Sequence, residues 1–285
     1  MTFEVKPFVN TSGPWLSPQD DIAAFKAHLA GAEQVECGGQ VVAALTTWRN
    51  PMHPFLLRFA TLTTPIADTA SQSELADVLI TNVVARAKQN GQRGLMAVTP
   101  DTMSPLRSAM VSRGLRRIRT TFQPNLRLQD AQTAPVTLAP GTKLLTQSDI
   151  LNSEVLTEAL IQTTYLAYQG RHAVDQVKPF AEKDWAPRIL TNLEPTAPLA
   201  LAQGETIGAY CLTYLRHGHL EFGGAWGADH GMLDGLLAYT LPALASRYET
   251  LAGAFSDTDE GGLQVYMTFP DQPEAKELGA FALLF

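Results

Sequence analysis

The sequence predicts an α/β protein of two domains, each a mixed, mostly antiparallel sheet flanked by helices. Three observations carry this. One pattern is written twice, over residues 33–128 and 199–285: a strand, a glycine turn, two strands, a long amphipathic helix, a strand, a shorter helix and closing strands. A stretch at 129–140 holding Ala131, Ala134, Pro135 and Pro140 has the composition of a linker. A chain of 285 residues also suits two domains of ordinary size. The boundary is placed near residue 136, giving domains 1–135 and 136–285.

The first half opens on a strand-like run, 3–9. Ser17 and Pro18 then supply a cap and a first-position proline for a helix along which Ile22, Phe25 and Leu29 recur. Gly38-Gly39 sits between two β-rich runs, 33–37 and 40–48, and reads as a hairpin turn. A third strand is expected over 55–63. Leu75, Val78, Leu79, Val83 and Ala87 form one stripe of a helix over 73–89. A short strand over 95–99 precedes a helix from Ser104-Pro105 to the stop at Gly114, and 116–128 is strand-like again.

The second half begins with helical stretches at 150–169 and 177–193, which have no full counterpart earlier. Strands over 199–203, 206–215 and 219–226 repeat the hairpin and third strand. Leu233, Leu236, Leu237, Leu241, Leu244 and Tyr248 stripe the next helix, where Pro242 predicts a kink or break. Strand 251–255, helix 261–269 and strand 278–285 complete the expected second sheet.

Composition narrows the function classes. Apolar residues make up 45% and charged residues 17%, enough for real cores. The net charge of −7, from 21 basic and 28 acidic residues, argues against nucleic acid, whose phosphates want a basic face. Cys37 and Cys211 fall on strands in corresponding halves, away from histidine clusters, and read as small core residues; no metal is expected. The first residues include Glu4 and Lys6 with no apolar run, so no signal peptide is expected, and no stretch nears the roughly 20 apolar residues of a membrane span. Cytoplasm is the expected compartment. Asp257-Thr258-Asp259-Glu260-Gly261 fails as a calcium loop because its twelfth position is Thr268, and neither a nucleophile elbow nor a Walker loop is present.

The segment Asp259-Glu260-Gly261-Gly262-Leu263-Gln264-Val265-Tyr266 is similar to a strand–helix motif of the GNAT superfamily of acyl-CoA-dependent N-acyltransferases. Asp259 stands where a polar residue, usually Asn, precedes the helix, and Tyr266 stands at the helix tyrosine. With the element order of both halves, the chain resembles a tandem pair of GNAT domains. In the first half the same register runs over 103–115, Arg113-Gly114-Leu115 resembles the closing Gly-Phe pair, and Met110 takes the tyrosine position. A thioether has no proton to donate.

That resemblance implies a site in the second half. Acetyl-CoA would be the co-substrate and a primary amine, on a small molecule or peptide, the acceptor. Tyr266 would protonate the leaving thiolate, and Glu221, on the third strand, would be general base, with His219 the alternative. Ala225, Trp226, Gly227, His230, Gly231, Met232 and Asp259 would hold the acyl donor, with Trp226 either lining the cleft or plugging it. The family's pyrophosphate loop, Arg/Gln-x-x-Gly-x-Gly/Ala, corresponds here to Gly227-Ala228-Asp229-His230-Gly231-Met232-Leu233. It keeps two glycines but lacks the arginine, and Asp229 has the wrong charge for a phosphate. The first-half counterpart, Asp68-Thr69-Ala70-Ser71-Gln72-Ser73-Glu74, has no glycine.

Two alternatives stand beside transfer. One is a binding or regulatory protein that has lost turnover. The other is an aminoacyl-tRNA donor, against which the acidic balance argues. Oligomeric state is open between a monomer of tandem domains and a homodimer.

Overall fold

The structure, a computed structural model, describes residues 2–9, 19–64, 69–100, 104–270 and 275–285. Two compact units emerge. The first comprises Met1–Thr120 with Val174–Lys178 and Leu278–Phe285; the second comprises Thr121–Ala173 and Pro179–Glu277. The division falls at Thr120/Thr121 rather than near residue 136, and the first unit takes back two later segments.

In the first unit β1 (Phe3–Pro7) and α1 (Gln19–Ala27) precede a meander of β2 (Glu33–Cys37), β3 (Gln40–Arg49) and β4 (Leu56–Thr63). Gly38 and Gly39 both adopt left-handed φ, 58° and 81°, as a two-residue hairpin turn requires. The start signal at Ser17-Pro18 lies outside the described residues. Helix α2 (Thr69–Gln89) begins four residues earlier than its apolar stripe predicts and crosses over to β5 (Gly94–Pro100), which pairs β4 in parallel over Leu56–Arg58. The Ser104 side chain caps α3 (Pro105–Ser112) by accepting from Arg107 N, and Gly114 ends that helix at φ 86°. The unit's sheet also holds the first residues of β6 (Arg116–Gln123) and a strand from the end of the sequence, Lys276–Leu284. Leu75, Leu79, Ile80 and Val83 of α2 pack on the sheet with Leu45, Leu57, Phe59, Leu95 and Met110.

Pro124 interrupts the expected long strand over 116–128, leaving β6 and a short β7 (Asn125–Arg127). Then come β8 (Thr142–Leu145), absent from the expected elements, and α4 (Gln147–Leu151), α5 (Glu154–Arg171) and α6 (Glu182–Leu190). Three helices therefore replace the two predicted. The reason is local: Thr146 with Asp149 makes a capping box, and Ser153 caps a new helix immediately after. Strands β9 (Ala200–Gln203), β10 (Thr206–Arg216) and β11 (His219–Gly227) repeat the meander, with His217-Gly218 as a left-handed turn. Helix α7 (His230–Ala245) continues unbroken through Pro242, and β12 (Thr250–Ala252), β13 (Phe255–Ser256) and α8 (Glu260–Met267) follow. The last strand is β14 (Lys276–Leu284).

The second sheet runs β7-β12-β11-β10-β9-β8, parallel only between β11 and β12. The two sheets thus share a design: an antiparallel four-strand meander, a helix, and a parallel fifth strand. The expectation that 278–285 closes the second sheet is corrected. Residues Leu278–Leu284 pair antiparallel with β5 of the first unit, while β7 occupies the equivalent place beside β12. An apolar strand can complete either sheet, and here Leu284 sits opposite Gly94. A Cβ on Gly94 would collide with the Leu283 carbonyl oxygen.

Before β9, Glu194 organises a loop. It is 2% exposed and accepts from Thr196 Oγ1 and N, Ala197 N and Tyr248 OH. Burial pushes its pKa up, but those hydrogen bonds outweigh burial and hold it below the ordinary glutamate value of 4.5. A depressed folded pKa adds stability that is full above pH 4.5 and lost as pH falls through the folded value.

Gly94→Ala should therefore lower stability by about 1–3 kcal/mol, read from the urea midpoint, because the strand contact cannot give way freely. Glu194→Gln should cost about 1–3 kcal/mol at pH 7, and the gap to the unsubstituted protein should shrink below pH 4.5. A gap independent of pH would refute the charge-assisted account.

Candidate functional site

The second unit holds a cleft of about 530 Å³ between α5 and the far half of β11. Thr163, Leu166, Ala167, Gly170 and Arg171 form one wall; Ala225, Trp226 and residues 258–261 form the other.

Strand β11 prepares the cleft by a β-bulge. Phe222 and Gly224 pair with Thr213 and Leu212, leaving Gly223 extra. Gly223 leaves no room for a side chain because the Tyr214 ring lies against it, and Gly224 has φ 146°, outside the range of ordinary residues. Over the bare Gly224 lies the Arg171 guanidinium. Its Nη1 donates to Asp259 Oδ2 at 2.5 Å, Nη2 to Tyr210 OH at 3.3 Å, and Nε to the Ala167 carbonyl. Burial drives the Tyr210 phenol pKa upward, so it stays protonated. Asp259 is 6% exposed, and its other oxygen accepts from Gly262 N at 3.0 Å, capping α8. The carboxylate has charged and helical partners on both oxygens.

The parallel step beside the bulge is short. Strand β11 meets β12 through one pair, Glu221 with Ala252. Past it, the first turn of α8 fills the gap. A Cβ on Gly261 would overlap the Ala225 carbonyl oxygen and lie 3.0 Å from Trp226 N, so only glycine permits this approach. One turn along α8, Gln264 reaches α7. Its Nε2 donates to the His230 carbonyl at 2.9 Å and to Asp234 Oδ1 at 2.6 Å, and its Oε1 lies 3.0 Å from His230 Nδ1. At the start of α7, Asp229 is the N-cap and accepts from Met232 N at 2.8 Å.

The residues expected to act together are therefore split. Ala225, Trp226 and Asp259 line one cleft. Gly227 makes a tight turn, with Leu233 Cβ 2.9 Å from where its Cβ would be, and the Met232 sulfur lies under Gly208. His230 is engaged by Gln264, and Gly231 is exposed beside Asp229. Tyr266, 8% exposed, stacks against Phe255 and Phe122 at 5.2 and 5.7 Å. Burial first, then the charge of Glu277, raises its pKa. Glu221 pairs with Arg216 at 3.3 Å at the exposed start of the strand, and His219 is exposed beside it. Phe222 packs in the core that holds Tyr266, so strand alternation turns Glu221 to the opposite face. Burial pushes the Cys211 thiol up to about 12, as an inert core residue requires. Sequence reasoning missed Arg171, Tyr210 and Gln264; only the two consecutive glycines at 261 and 262, costly in a helix, signalled a close approach.

No family model matches the chain, and no curated protein does. Among solved structures, a GCN5-related N-acetyltransferase from Sphaerobacter thermophilus superposes with TM-score 0.60 over 93% of this chain and 85% of that one, at 11% identity. The chain thus has the GNAT fold, here built twice. A tandem GNAT protein of the clavulanic acid biosynthesis pathway aligns over 89% of this chain and 82% of its own, at 12% identity and TM-score 0.49. Among the described residues no helix is long and apolar enough to cross a membrane.

In this geometry Gly261 lies against Ala225 and Trp226 of β11, the α7 N-terminus is capped by the Asp229 carboxylate, and Asp259 is bound by Arg171, so these three groups are not free to hold an acyl-CoA. Arg171→Met should cost roughly 2–3 kcal/mol in chemical denaturation, somewhat under the value for a fully buried pair because Arg171 is partly exposed. Adding Asp259→Asn to that variant should recover part of the loss; strictly additive costs would show that the two side chains are not coupled.

Proposed function

We propose that the chain is a small-molecule-binding protein on the GNAT fold whose second unit no longer turns over an acyl donor. The engaged state of Asp259 carries this reading. The carboxylate stands where the fold's polar donor-binding residue is expected, yet Arg171 and Gly262 N consume it. What stays open is the cleft under α5, walled by Trp226 and Leu166 with Glu260 at its rim. An indole face beside a carboxylate favours a compact amine-bearing ligand over an anion. The overall charge of −7 supports the same preference.

The second reading is transfer of an acetyl group from acetyl-CoA to a primary amine. It is favoured by the GNAT fold and by Tyr266 on α8, whose raised pKa keeps a proton to give. In that reading Glu221 or His219 would take the amine's proton through water, from the face of β11 opposite Tyr266.

Thermal-shift titration with acetyl-CoA, together with a thiol-release assay over a panel of amines, separates the two. Binding to the native state must stabilise it, by about 2.7 kcal/mol at a hundredfold excess over Kd. The binding reading expects no shift with acetyl-CoA, no thiol release, and a shift with at least one amine. A shift with acetyl-CoA accompanied by thiol release that Tyr266→Phe abolishes would replace it with the transferase reading.

A further inference from the structure

We infer that α8 fills the gap beside the far half of β11, where the GNAT resemblance would place the donor's pantetheine arm, and that Gln264 is the clasp holding it there. This rests on the reading of lost donor turnover and says what encodes the loss.

Among the described residues, the backbone of β11 beyond Glu221 has no strand partner on its β12 side, because β12 ends at Ala252. A strand edge left open asks for a partner. The first turn of α8 covers this edge, approaching so closely that residue 261 must be glycine. Residue 262 must be glycine too, since a Cβ there would lie 2.6 Å from Asp259 Oδ2. Glycine is disfavoured in a helix against alanine, so two in succession need a packing reason. The inner side of this seat is fixed by Arg171 on Asp259.

The outer side is different in kind. There the closure consists of exposed polar contacts from one side chain, Gln264, to the His230 carbonyl, the His230 ring and Asp234. Contacts of this sort are individually weak, because water competes for each of them. A permanently filled core would be sealed by apolar packing. A seal of exposed hydrogen bonds can be undone without exposing a core, so cutting Gln264 frees α8 from α7 while Phe255 and Phe122 keep their stacking with Tyr266.

The test uses the full chain, Gln264→Ala and, as a milder variant, Asp234→Ala. Two readouts are taken: hydrogen exchange of the amides in Glu260–Met267, and calorimetric titration with S-acetylpantetheine, which lacks the diphosphate that Asp229 would repel. In Gln264→Ala we expect exchange in α8 to rise roughly tenfold or more, and S-acetylpantetheine to bind that variant but not the unsubstituted protein; Asp234→Ala should fall between. Exchange unchanged in both variants would overturn the clasp. Faster exchange without any binding would overturn α8 as the stand-in for the donor while leaving the binding reading untouched. Donor binding by the unsubstituted protein would overturn both.

Discussion

Asp259 is the point on which the second unit's site depends. One of its oxygens caps α8 and the other takes the Arg171 guanidinium at the end of α5. A carboxylate this buried is tolerable only when both oxygens are satisfied. The bulge at Gly223 belongs to the same arrangement: the Arg171 guanidinium lies over the bare Gly224, where a Cβ would come within 3.2 Å of it. Helix α5, the bulged strand and α8 are thus held by one charge. The cleft is the space left around it.

Much of the fold was legible because its signals are local. Two glycines at 38 and 39 need left-handed backbone, and a hairpin is what uses it. Ser104 with Pro105, Thr146 with Asp149 and Ser153 are helix starts written within four residues; the last two open separate helices where a single helix over 150–169 was expected. The repeat itself is periodicity on a larger scale, and the shared parallel step after each long helix answers to it.

The site was legible only as far as chain position reaches. Ala225, Trp226 and Asp259 line one cleft, but Arg171 comes from 88 residues away and nothing near it marks a partner. Gln264 reads as an ordinary exposed helix residue until α7 is placed beside it. Tyr266 illustrates the converse: its position matches a proton donor, while its surroundings, two phenylalanine rings, are those of a core residue. Strand β14 was recognised as a strand but given to the wrong sheet, because an alternation of apolar residues fixes a face and not a neighbour.

That last strand sets an order of events during synthesis. The first unit is made early, yet the strand beside β5 is residues 278–284, with more than half the sequence between them. At ordinary translation speeds this interval is roughly 10–30 s. Throughout it β5 presents an open edge of Leu95, Met96 and Ala97, a ready template for a wrong strand. The nascent first unit therefore needs either a temporary cover for that edge or a slow path to collapse, and a ribosome stalled before residue 278 would leave an aggregation-prone half rather than a finished domain.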